Sequence, residues 1–132
     1  MASELRAVLG QLVRRLRAEN RFPLSHGTVL GRLDRNGVQS VSDLAAAERM
    51  RPQSMAQTVS ELETGGFVHR RPDPGDRRRQ WVDLTEAGRE ALYAERRHRE
   101  GWLASAIAGD LSAQEQASLA DAVELLRRLA DS

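Results

Sequence analysis

Apolar residues near the start of the chain recur at steps of three and four. They are Leu5, Val8, Leu9, Leu12, Val13 and Leu16. This spacing puts them on one face of an α-helix, because the helical repeat is 3.6 residues. We predict a helix over residues 1–20 that ends before Pro23.

Capping and terminating residues predict three shorter helices over the next part of the chain. Ser25 is a candidate cap for a helix that runs to about Arg35, where Asn36-Gly37 ends it. Ser40 and Asp43 have the spacing of a capping box, which predicts a helix to about Arg49.

The third of these helices begins at Pro52, because the fixed φ of proline suits the first helical position, and Gly65-Gly66 ends it. Its inward stripe is Met55, Val59 and Leu62. Since only about three residues separate it from the preceding helix, the pair is predicted to form a helix-turn-helix whose second helix can enter a major groove of DNA.

Residues 67–71 and 80–84 are rich in residues that favour β-strands, and they flank the turn sequence PDPGDRR. We predict a β-hairpin. Thr85 then caps a long helix, and Ser112 with Glu115 forms a capping box that opens a last helix. The apolar face predicted for that last helix is Leu119, Ala122, Val123, Leu126 and Leu129.

These elements predict a mainly α fold with a small β-hairpin wing (α+β), a winged helix-turn-helix in one domain over residues 1–132. Residues 25–84 form the DNA-binding module. The flanking segments, 1–20 and 86–131, are predicted to be dimerisation helices, because a monomer would expose their long apolar stripes and soluble monomers avoid such surfaces. We therefore expect a homodimer.

Charge is concentrated in the predicted hairpin. The whole chain has a net charge of only +1, but residues 69–80 contain five arginines and two aspartates, a local sum of +3 (five minus two). A localised basic patch is typical of a surface that binds a polyanion. The chain has no cysteine, and no run of about 18 apolar residues that would span a membrane. We expect a cytoplasmic protein.

The stretch LETGGFVHRRPDPGDRRRQWVDLTEAGRE resembles the wing of the MarR family, with a D-x-R turn at Asp76-Arg77-Arg78 and an L-T-x-x-G helix start at Leu84. SDLAAAERMRPQSMAQTVSELETGG is similar to the helix-turn-helix of the same family. The resemblance implies a dimeric transcriptional regulator that binds double-stranded DNA, often a repressor released by a small aromatic or lipophilic effector.

Carried over by position, the resemblance implies roles for individual residues. Gln53, Ser54 and Gln57 would face bases in the major groove. Arg78 would enter the minor groove with Asp76 steadying it, and Arg77 and Arg79 would add to the wing contact. Arg51 stands where the family usually has a capping Ser or Thr, so either that cap is lost or Arg51 contacts phosphate.

Other interpretations remain open from the residues alone. The arginine turn is also compatible with a solvated charged loop, and a winged helix can bind protein instead of DNA. The sequence contains no nucleophile–base pair, carboxylate dyad or phosphate-binding glycine loop, so we do not expect an enzyme. The three histidines lie far apart, so we expect neither a metal nor another cofactor.

Overall fold

Six helices and three short strands follow one another in the computed structural model, which describes all residues, 1–132. The helices are α1 (Ala2–Ala18), α2 (Leu24–Asn36), α3 (Val41–Ala47), α4 (Pro52–Thr64), α5 (Glu86–Asp110) and α6 (Ala113–Ala130). The strands are β1 (Gln39–Ser40), β2 (Val68–Pro72) and β3 (Gln80–Leu84). This arrangement confirms the predicted winged helix-turn-helix. None of the helices is long and apolar enough to cross a membrane.

Three of the predicted helix caps are present, and one is wrong. Ser40 and Ser112 each accept a hydrogen bond from the backbone of the third helical residue, in complete capping boxes, and the Thr85 hydroxyl accepts one from the N–H of Gly88. Ser25 does not cap α2. The carbonyl of Pro23 already accepts hydrogen bonds from the N–H groups of residues 26 and 27, so the helix begins at Leu24 and Ser25 lies inside its first turn.

The sheet has one strand more than the predicted hairpin. β2 and β3 pair antiparallel from Val68↔Leu84 to Pro72↔Gln80, which confirms the hairpin. The additional strand β1 pairs with the other edge of β3, with Ser40 opposite Trp81, so the order is β1-β3-β2. β1 thus links the wing strand β3 to the start of α3.

The core lies within the winged module. Its members are Val29, Leu30, Leu33, Leu44, Ala45, Met55, Val59, Leu62, Val68, Val82 and Leu92. Only Leu92, on α5, comes from outside residues 25–84. Neither α1 nor α6 has a buried residue, and both expose large apolar side chains. The exposed ones are Val8, Leu9, Leu12, Val13, Val123, Leu125 and Leu129.

The glycine of the L-T-x-x-G sequence, Gly88, is needed because the backbone of another segment lies very close to it. This glycine is buried, and a Cβ atom built on it would lie 2.0 Å from the backbone oxygen of Phe67. The same carbonyl accepts a hydrogen bond from the N–H of Thr85 at 3.1 Å, and the Thr85 hydroxyl donates to the carbonyl of Gly66 at 2.7 Å. The start of α5 is thus held against the turn that leads into the wing.

Candidate nucleic-acid interface

Helix α4 has one face in the core and one on the surface. Met55, Val59 and Leu62 are buried as predicted, together with Thr58. The predicted base-reading residues Gln53, Ser54 and Gln57 are all exposed on the other face. Hydroxyl and amide groups can donate to and accept from base edges, so this face has the chemistry needed to read a major groove.

Arg51 is the N-cap residue of α4 and makes no side-chain capping bond. Its carbonyl accepts the first helical hydrogen bond, from the N–H of Met55 at 3.0 Å, and its side chain is exposed. The guanidinium therefore adds a positive charge at the end of the helix where the backbone dipole already favours an anion.

Gln57 belongs to a polar chain that links α4 to α2. Its side-chain Nε2 donates to Oε1 of Glu61 at 3.2 Å, while Oε2 of Glu61 lies 2.7 Å from Nε2 of His26. The hydrogen bonds from His26 and Gln57 lower the pKa of the Glu61 carboxyl below its ordinary value. Sequence reasoning left His26 and Glu61 out of the site, because their positions are 35 residues apart.

The three wing arginines have different surroundings. Arg78 is the most open, with 94% of its side chain exposed. Oδ1 of Asp76 accepts hydrogen bonds from the backbone N–H of Arg78 at 3.0 Å and from its Nε at 3.4 Å. The Asp76 carboxylate does not hold the guanidinium through both of its oxygens: the short turn brings one carboxylate oxygen to the backbone and Nε, and both terminal nitrogens of the guanidinium remain free.

Arg79 packs against Trp81 of β3 and lies close to α3. Its Cζ lies 4.5 Å from the ring centre of Trp81, and its Nη2 lies 3.6 Å from Oδ2 of Asp43 at the start of α3. Arg77 is exposed and makes no ion pair. Arg77 and Arg78 thus have guanidinium groups available to a partner, whereas Arg79 is partly committed to the protein itself.

The wing loop is held by hydrogen bonds to Asp73. Its Oδ1 accepts from the N–H of Gly75 at 2.7 Å, and its Oδ2 accepts from the indole Nε1 of Trp81 at 3.1 Å. These two bonds, that from Gly75 foremost, hold the pKa of Asp73 below its ordinary value. Trp81 therefore contributes an indole N–H donor to the wing as well as an aromatic surface.

A salt bridge connects the wing to α4. Glu63 accepts hydrogen bonds from the backbone N–H of Arg70 at 2.9 Å and from its Nη2 at 3.3 Å, while Nη1 of Arg70 donates to Ser60 at 3.2 Å. Arg70 and Glu63 therefore form a local ion pair. The ion pair thereby helps to hold α4 and the wing in one relative position.

A second feature, a cavity of about 310 Å³, lies between α2 and α5 next to the segment that follows α1. Buried Glu95 lines it, and its Oε1 accepts a hydrogen bond from the N–H of Arg21 at 2.7 Å. Asn20 also lines it, with a buried Oδ1 that has no hydrogen-bond partner. Arg35, Arg96 and Arg99 also line it, and the lining as a whole is about half polar and half apolar. The structure has no cluster of side chains able to hold a metal ion.

Comparison with known proteins agrees with the fold. A sequence profile of the MarR family matches residues 22–79. An uncharacterized HTH-type transcriptional regulator of Mycobacterium bovis is 37% identical over 99% of this chain and 93% of its own length. One of Mycobacterium leprae is 34% identical over the same shares.

Solved structures show the same architecture. A Pseudomonas aeruginosa protein described as a transcriptional regulator superposes with a TM-score of 0.82 at 40% identity, covering 99% of this chain and 93% of that one. A MarR family protein from Bacillus stearothermophilus superposes with a TM-score of 0.72 at 19% identity, over 99% and 93% of the two chains, and so shares the fold.

Proposed function

This chain is a DNA-binding transcriptional regulator of the MarR family, and from that premise we propose that it acts as a homodimeric repressor at a pseudo-palindromic operator. In each subunit α4 lies in the major groove, and the wing reaches the adjacent minor groove. The observation that carries this proposal is the combination of an exposed polar face on α4 with the free guanidinium of Arg78, on two elements that the Arg70–Glu63 pair holds together.

Each exposed residue has a part in this arrangement. Gln53, Ser54 and Gln57 face base edges, where an amide can pair with adenine through two hydrogen bonds. Arg51 binds the phosphate next to the start of α4. The proposal places Arg78 deepest in the minor groove, where a narrow groove concentrates negative potential, and Arg77 on the flanking backbone.

Dimerisation follows from the surfaces of α1 and α6. Leu12 and Leu129 are 43% and 61% exposed, and neither helix contributes to the core. Pairing the terminal helices of two copies would remove these side chains from water, a change favourable by roughly 25 cal/mol per Å² of apolar area. Two-fold symmetry predicts an operator with two matching half-sites. Helix-turn-helix dimers read half-sites about one DNA turn apart, and we expect the same spacing here.

Repression is the simplest consequence of this geometry, because a dimer that occupies two successive grooves excludes other proteins from the same duplex. The cavity between α2 and α5 is where an effector would act. Since it borders both the winged module and the segment after α1, a ligand bound there could alter the spacing of the two recognition helices, provided that it binds the two states unequally. Its lining is about half polar and half apolar, so it suits a small aromatic or lipophilic ligand that also carries polar groups.

Selection of genomic fragments by the purified protein tests the proposal. We expect enrichment of a two-fold symmetric motif whose half-sites are centred about 10 base pairs apart. If no fragment is enriched even at low ionic strength, the DNA-binding account fails, and the winged helix would be assigned to protein binding. Repeating the selection with candidate small molecules would identify an effector by loss of the enriched fragments.

A further inference from the structure

Glu61 occupies an unusual place for an acidic residue. It lies one helical turn after Gln57 on α4, about half exposed, on the helix that the proposed function places against a polyanion. A carboxylate there repels phosphate, so some other interaction should compensate for its presence. The contacts of its two oxygens supply one.

The Gln57–Glu61 bond determines which end of the Gln57 amide is free. Because a carboxylate only accepts hydrogen bonds, the amide nitrogen must face Glu61, and the flipped amide would set two acceptors against each other. One N–H of Gln57 is used in this bond. The carbonyl Oε1 and the second N–H remain available, and their separation suits an adenine edge.

His26 holds Glu61 in position for this task. Its Nε2 lies 2.7 Å from Oε2 of Glu61, and its side chain is only 16% exposed. His26 stands at the start of α2, whose later residues Val29 and Leu30 are in the core. The carboxylate is therefore attached to a fixed part of the module, unlike a free surface side chain, and it transmits that position to Gln57.

We propose that Glu61 is a positioning residue that sets the base preference of α4, by orienting the Gln57 amide so that it selects a base with a major-groove amino group, adenine first. This inference rests on the proposed function, because it requires α4 to lie in the major groove. Glu61 then has two effects of opposite sign: its charge weakens binding to any duplex, while its hydrogen bond sharpens the choice of base.

Because Glu61 is expected to weaken duplex affinity and to sharpen base discrimination, an experiment that measures both can distinguish this proposal from a purely structural role. The full-length protein and its Gln57→Ala, Glu61→Ala and Glu61→Gln variants are titrated against the selected operator, and against copies in which single adenines are replaced by purine, which lacks the amino group. Two results identify the adenine that Gln57 reads. Its replacement lowers the affinity of the parent protein by about tenfold, and it lowers the affinity of Gln57→Ala much less. Thermal unfolding confirms that each variant is folded.

Glu61→Ala should bind a non-operator duplex more tightly than the parent, because a negative charge is gone, and its discrimination between adenine and purine should fall to that of Gln57→Ala. Glu61→Gln is the matched control: it loses the same charge but keeps an acceptor oxygen, so it should gain affinity and keep most of the discrimination.

Full discrimination in Glu61→Ala would overturn the inference while leaving the proposed function standing. If Glu61→Ala and Glu61→Gln lost discrimination between adenine and purine equally, the inference would also be overturned. The base preference would then depend on the negative charge of Glu61 and not on its hydrogen bond to Gln57. A parent protein that binds no duplex would instead remove the proposed function, and this inference with it.

Discussion

The indole N–H of Trp81 donates a hydrogen bond of 3.1 Å to Oδ2 of Asp73, which ties the middle strand of the sheet to the loop at the tip of the wing. The second oxygen of Asp73 accepts from the N–H of Gly75 in the same loop. Arg79 lies over the face of Trp81. The wing loop is thus ordered by its own polar groups in the free protein. In the proposed complex, in which the wing contacts DNA, an ordered loop would lose less conformational entropy on binding.

Asp73 should titrate below the ordinary aspartate value of 3.8, because both of its oxygens accept hydrogen bonds in the folded state. Since its pKa is lowered by folding, its contribution to stability is present above the unfolded value and is lost as the pH falls through the folded value. In Trp81→Phe one of these bonds is absent, so the pKa of Asp73 should rise. Carboxyl NMR titration measures both proteins.

Glu115 serves as the internal control for that titration. Its pKa is lowered by the backbone and side chain of Ser112, in a capping box on α6 rather than in the wing. The pKa of Glu115 should be the same in the parent protein and in Trp81→Phe. An unchanged pKa of Asp73 in Trp81→Phe would show that the indole bond does not form in solution.

Arg78→Ala should weaken operator binding by about 1–3 kcal/mol and leave dimerisation intact, because the guanidinium touches only Asp76 within the protein. Asp76→Ala should weaken operator binding less than Arg78→Ala does, since Asp76 acts through Arg78. Fluorescence anisotropy with a labelled operator measures both. Arg97→Ala, which removes an exposed arginine from α5, is the charge control. An effect of Asp76→Ala larger than that of Arg78→Ala would reverse the assigned order.

Gly88→Ala should lower the free energy of unfolding by about 1–3 kcal/mol or more, because the new methyl group would overlap the backbone of Phe67. Gly101→Ala on the same helix has no atom within 4 Å of the new carbon. It should raise stability by roughly 0.5–1 kcal/mol through helix propensity. Urea unfolding compares the pair. Equal effects of the two substitutions would refute the close contact at Gly88.

Leu12→Glu and Leu129→Glu should each shift the protein towards monomers, because each places a charge on an apolar surface that we assign to the dimer. The winged module should stay folded, since neither residue is in its core. Sedimentation velocity gives the oligomeric state and circular dichroism the fold. Ala87→Glu, at an exposed position of α5, is the control. A parent protein that sediments as a monomer would contradict the dimer.

The parts of the fold that could be read from the sequence are those determined by neighbouring residues. The capping box of Ser40 and Asp43 involves residues three apart, so its pattern is visible in the chain. Strand β1 has only two residues and exists because β3, about 40 positions later, lies beside it. A strand of two residues is too short to show an alternation of apolar and polar residues in the sequence.

In the candidate site, too, some features could be predicted from the sequence and others could not. Exposure of Gln53 and Gln57 followed from the helical repeat around the buried Met55 and Val59. The link from Gln57 through Glu61 to His26 could not be foreseen, because it depends on how α2 crosses α4. Nor could the approach of Arg79 to Asp43 be foreseen, because Asp43 stands far earlier in the chain, at the start of α3.

Salt dependence of binding to the selected operator, compared with a scrambled duplex of equal length, tests the central claim most directly. Each phosphate that the protein neutralises should contribute about −0.9 to the slope of log affinity against log salt concentration, and the operator should bind more tightly than the scrambled duplex at every concentration. Equal affinity for both duplexes, or a flat dependence on salt, would contradict the account.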